Sequence, residues 1–161
     1  MSQKRDTDYL AVSTRIHAME NRMLTRERME RMIDAKDSGE AAKVLSECGY
    51  GELTQLTSAA LEELLADARR NTFRDMTDSV PDRRLVEVFQ LKYDYHNAKV
   101  LIKAQAMGLD EARLLSQGGR YDPQRLRGDF LRDDLRDWGE VFRQAVLRAR
   151  EVLAATGDPQ Q

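Results

Sequence analysis

Two histidines, one cysteine and scattered carboxylates are the groups this sequence offers for chemistry. His17 and Glu20 lie three residues apart, the spacing of one carboxylate–histidine pair in a di-iron bundle. Such a site needs that pair twice and two further carboxylates, and no other stretch supplies them. Zinc wants clustered cysteine and histidine, which a lone Cys48 cannot give. Neither a metal nor a cofactor is expected. Cys48 falls at the end of a short predicted helix, where the dipole disfavours a thiolate, and reads as a small buried hydrophobe. Gly118 and Gly119 lack both the spacing and the preceding strand of a phosphate-cradling loop, and read as a turn. No catalytic residue is assigned.

His96 has a sharper reading. With Lys99 one helical turn on, it matches the way a phosphotransfer bundle presents a histidine beside a cation that attracts phosphate. Val100 stands where such bundles usually have glycine. The plainer reading is a solvated or partner-facing histidine beside Lys92, Lys99 and Lys103.

These residues sit on the stretch that must organise the chain, PDRRLVEVFQLKYDYHNAKVLIKAQAM, from Pro81 to Met107. Ser79 is expected to cap it, Pro81 and Asp82 suit a first turn, and Gly108 supplies a left-handed stop. Such a helix is roughly 40 Å long at ~1.5 Å per residue. A helical wheel gives it two apolar flanks, Val86, Phe89, Tyr93, Val100, Ala104 and Met107 on one side and Val88, Leu91, Tyr95, Ala98 and Ile102 on the other. Two polar edges run between them. One carries Lys92, His96, Lys99 and Lys103; the other carries Glu87, Gln90, Asp94, Asn97 and Gln105. The second is the expected partner-binding edge, since amides and carboxylates suit a wet interface. The alternative is that Tyr93, Asp94 and Asn97 tie neighbouring helices together.

Shorter helices fill the rest. A stripe of Val12, Ile16, Met19 and Met23 follows a cap at Asp8. Thr25 opens a helix facing Met29, Met32 and Ile33 inward, and Asp37 with Glu40 opens one packing Ala41, Val44, Leu45 and Cys48, stopped by Gly49. Another starts near Ser58, with Leu61, Leu64, Leu65 and Ala68 as its stripe and Met76 near its end. Asp122 and Pro123 begin a short helix that Gly128 weakens. The last helix places Trp138, Val141, Phe142, Ala145, Ala149, Val152 and Leu153 on one face and ends at Gly157 and Pro159.

The chain has 161 residues, 34% of them charged, and a net charge of −2, which disfavours nucleic-acid binding. Aspartates interleave the arginines from Arg120 to Arg150, so that segment reads as a salt-bridged face. One cysteine fits a reducing compartment, and no apolar run reaches the ~20 residues of a membrane span. The expectation is a soluble, cytoplasmic, all-α protein. Turn-rich SQGGRYDP marks the best boundary, giving residues 1–115 as a first helical lobe and 116–161 as the start of a second.

The stretches IHAMENRMLTRERMERMIDAKDSGEAAKVLSECGYGEL and LVEVFQLKYDYHNAKVLIKAQAMG resemble the C-type subunit of V/A-type ATP synthases, a relative of the d-type subunit of the vacuolar pump. The matching hallmarks are Ala18-Met19-Glu20 with Arg22, Gly49-Tyr50-Gly51, and Lys92-Tyr93-Asp94 followed by His96-Asn97 and Lys99. LLSQGGRYDPQRL and the terminal ATGDPQQ agree in order. The resemblance implies a non-catalytic, all-helical subunit of three similar lobes. It would couple a central shaft to the membrane rotor ring during proton or sodium transport, peripheral to the membrane and touching it only through the ring. It also implies an N-terminal fragment, with exposed lobe surfaces open to self-association. A generic helical adaptor is the remaining alternative.

Overall fold

The computed structural model describes residues 5–53 and 57–158, and every regular element among them is helical. They divide into two compact units, residues 1–86 and 87–161.

In the first unit a 3-10 turn at Asp6–Tyr9 leads into α1 (Leu10–Glu20), followed by α2 (Arg26–Ile33), α3 (Ser38–Glu47) and α4 (Ser58–Ser79). The caps explain the boundaries. Thr25 Oγ1 accepts from Arg28 N–H, Asp37 Oδ1 from Glu40 N–H at 2.8 Å, and Thr57 Oγ1 from Ala60 N–H. Asp8 does not cap α1, because its carboxylate accepts from Arg5 N–H and closes the 3-10 turn instead. Gly49, at φ +80°, ends α3 in a Schellman turn in which Tyr50 N–H reaches Leu45 O. α2 packs on α3 and α1 on α4, with Arg31–Glu47 and Arg15–Asp75 pairs across the two contacts.

Burial in this unit is thinner than the sequence stripes imply. Val12 is buried, whereas Ile16 on the same helix and Met23 just beyond it are exposed. On α3 and at its end the inward residues are Ala42, Val44, Leu45 and Cys48, with Ala42 taking the place expected of Ala41. Ile33 on α2 is 80% exposed, and no residue of α4 is fully buried.

The second unit is built on α5 (Arg84–Met107). Its start differs from expectation. Ser79 is the last residue of α4, its hydroxyl donating to Asp75 O, and Pro81 lies between the helices. Asp82 accepts instead from Arg84 N–H and its guanidinium. Gly108 stops the helix at φ +64° as expected, with Leu109 N–H reaching Ala104 O at 3.0 Å. A 3-10 turn at Ala112–Leu114, α6 (Pro123–Leu131) and α7 (Glu140–Thr156) complete the unit. Asp122 caps α6 through Gln124 and Arg125 N–H.

Ala98, Leu101 and Ile102 of α5 bury against Leu126 and Phe130 of α6, Leu135, Trp138, and Phe142 and Val146 of α7. Tyr121, Trp138 and Phe142 form a cluster of mutually stacked rings, and Tyr95 meets Phe142 edge-on at 5.0 Å. The expected face of α7 is rotated by one position: Phe142 and Val146 are buried, and Val141 is 79% exposed. Trp138 precedes the helix rather than belonging to it. Pro159 lies outside the described residues.

Candidate functional site: the polar edge of the long helix

The edge expected to face a partner divides in two. Asp94 and Asn97 are fully buried, Glu87 and Gln90 are half-buried, and Gln105 is exposed. Leu101, assigned to neither apolar flank, is 2% exposed and lies on the same side. This edge is therefore the middle of the buried face of α5. Ala98, Ile102 and the partly buried Tyr95 on one side of it join Leu101 in the core, whereas Val86 and Ala104 on the other side are buried outside that core and Val88, Phe89 and Met107 are exposed.

What covers it is the chain from Leu115 to Tyr121, fastened to successive turns of the helix. Asn97 gives both halves of its amide to Ser116: Nδ2 donates to the carbonyl at 2.9 Å and Oδ1 accepts from the N–H at 2.7 Å. Asp94 Oδ1 accepts from Arg120 N–H at 2.8 Å, and its Oδ2 takes the Arg120 Nε–H at 2.6 Å. Gln90 Nε2 donates to Gly119 O at 3.2 Å. His96 Nε2 lies 3.0 Å from Leu114 O; a carbonyl only accepts, so that nitrogen carries the proton. Nε2 is thus engaged within the chain, which speaks against a phosphate-accepting role at that atom.

The glycine pair is more than a turn. A Cβ on Gly118 would sit 2.9 Å from the Tyr93 ring, and one on Gly119 would sit 2.3 Å from Asp94 Oδ1. Neither glycine has positive φ. Both are needed for close approach of backbone to helix. Spacing alone did not signal this, because the partner residues are about 25 positions away in sequence.

The electrostatics fit a permanent tie. Burial pulls the Arg120 pKa down, but the hydrogen bond and charge of Asp94, then Tyr121 and Glu87, outweigh it and the net shift is upward. A second anchor lies nearby, where Arg127 Nε donates to Glu111 Oε1 at 2.5 Å and lowers the pKa of that carboxyl. A small cleft lined by Tyr121, Arg125, Leu126, Asp129, Asp137 and Trp138 encloses about 250 Å³ including its open mouth. Because that figure counts open solvent, the enclosed space is smaller still and falls well short of the roughly 300–1,000 Å³ of small-molecule pockets. The arrangement holds chain segments together.

The sequence profile of the "ATP synthase (C/AC39) subunit" family matches residues 12–161, nearly the whole chain and both compact units. The chain belongs to that family. The C-type subunit of the V-type sodium ATPase of Enterococcus hirae is similar, 23% identical over 159 residues. That alignment takes in 91% of this chain and 48% of the relative, so the chain spans about half the length of the curated relative it matches. No solved structure matches significantly. Membership makes the chain part of a V-type ATPase subunit family, and the all-helical architecture is as the resemblance implied. No helix among the described residues is long and apolar enough to cross a membrane.

Proposed function

We propose that this chain is a non-catalytic coupling element of a V/A-type rotary ATPase, placed between the central shaft and the proteolipid ring. It would pass torque between them during proton or sodium transport. Family membership over residues 12–161 is the observation that carries this reading. The construction of the second unit supports it. A coupler must resist shear, and a 24-residue helix tied by side chains on successive turns to a covering segment is suited to that load.

Its partners in this reading are the shaft and ring subunits, with membrane contact only through the ring and the chain on the cytoplasmic side. No nucleic acid and no cofactor takes part. Glu87, Gln90 and Gln105 would form the partner-facing part of the polar edge. Asp94 and Asn97 would act from within, holding the 115–121 segment that flanks it.

Co-purification of the protein with tagged shaft and ring subunits tests this. Retention by both is expected, with weaker retention of a Glu87→Ala/Gln90→Ala/Gln105→Ala variant. Retention by neither would defeat the reading.

A further inference from the structure

The side of α5 opposite its buried face has a separate character. Lys92, His96, Lys99 and Lys103 recur at i, i+4, i+7 and i+11 and are all exposed, falling within an arc of about 60° on a helical wheel. Val88 and Phe89 precede them on the same side, 63% and 67% exposed, and Met107 follows at 59%. Both acidic residues of the helix, Glu87 and Asp94, lie on the other side.

The lysines differ from the arginines of α6, α7 and their connections. The arginines from Arg120 to Arg150 all pair with carboxylates of the same chain, whereas Lys92, Lys99 and Lys103 pair with none among the described residues. Lys92 Nζ rests 4.8 Å above the Tyr93 ring, which keeps its charge but gives it no counter-ion. A straight row of unneutralised cations, with apolar residues at both ends, is complementary to a helix with carboxylates at matching spacing and apolar ends.

We propose that this outward face of α5 docks an acidic amphipathic helix of a partner protein. An anionic lipid surface is the poorer match. Three lysines fall short of the about four to eight basic residues of a headgroup-binding cluster. The apolar ends, set by the helix about 28 Å apart, frame a partner of defined length rather than a plane. This surface is independent of the polar edge on the opposite side, and it stands or falls separately from the coupling reading.

The test titrates the full chain with a synthetic helical peptide carrying glutamates at i, i+4, i+7 and i+11 and leucines at both ends, following backbone amide shifts. Saturable shifts confined to α5 are expected. Affinity should fall about tenfold or more for Lys92→Glu/Lys99→Glu/Lys103→Glu, and for the same peptide with glutamines replacing its glutamates. Lys→Gln versions of the three sites should give a smaller loss in the same direction, and circular dichroism checks that the variants stay helical. Lys36→Glu/Lys43→Glu, exposed in the first unit, should bind as the parent does. No binding, an equal loss in the Lys36/Lys43 variant, or capture by phosphatidylserine vesicles in place of the peptide would each overturn the proposal.

Discussion

Asp94 carries the contact on which the second unit depends, so its removal should be costly in a calculable way. The carboxylate is 0% exposed and serves Arg120 twice, through the main-chain N–H and through Nε. In Asp94→Ala the Arg120 N–H loses its acceptor next to a new cavity, a loss of about 1–3 kcal/mol. The guanidinium is a quarter exposed and can turn to water, so its share is discounted to about 1 kcal/mol. The expected total is about 2–4 kcal/mol. Asp94→Asn keeps an oxygen for the N–H but loses the charge, and should cost about half as much. Amide exchange reads the effect locally. Protection of Arg120 N–H should fall roughly 30- to 700-fold in the alanine variant at about 1.4 kcal/mol per decade, and less in the asparagine variant. Urea unfolding should rank the two variants in the same order. A change under about 0.5 kcal/mol in Asp94→Ala, or an Arg120 amide that already exchanges freely in the parent, would refute the reasoning.

Gly119→Ala should destabilise by about 2 kcal/mol or more, because its Cβ would lie 2.3 Å from Asp94 Oδ1 and the covering segment would have to move; denaturant unfolding measures it. Gly128→Ala should instead stabilise by about 0.5–1 kcal/mol. Gly128 lies inside α6, and an added Cβ meets only the flexible end of Arg132 at 3.3 Å, so a raised melting temperature is expected. The Glu111 pKa is lowered in the folded chain by the hydrogen bond from Arg127 and by its own backbone, so it is a depressed carboxylate. The stability it contributes is present above its unfolded pKa, near 4.5, and is lost as pH falls through the lower folded value. Acid titrations of unfolding should therefore show a shallower loss below about pH 4.5 in Glu111→Gln than in the parent.

Much of the framework was legible in the sequence for local reasons. Thr25, Asp37 and Asp122 were recognisable as caps, and Gly49, Gly108 and Gly157 as stops, because each acts on backbone within a few residues. The long helix ending at Met107 followed from the same signals. Its orientation did not. A wheel sorts residues by polarity, and Asp94 and Asn97 therefore looked like an outer edge. Polarity fails as a guide to burial where a distant segment brings its own backbone donors and acceptors to the helix, as Ser116 and Arg120 do. Leu101 was missed for the same reason, lying between polar neighbours at the centre of the buried face. On α7, Val141 misled because it sits next to Phe142 in a strongly periodic stretch. Arginine stems on that helix carry part of the burial instead, with Arg150 placed 5.0 Å over the Phe130 ring.

Coupling in membrane vesicles tests the central claim most directly. ATP hydrolysis and ion uptake are measured together for the complete rotary complex, with this protein present and then depleted. Depletion should leave ATP hydrolysis running while ion uptake collapses, and adding the protein back should restore uptake. Ion uptake that stays in step with hydrolysis after depletion would contradict the account.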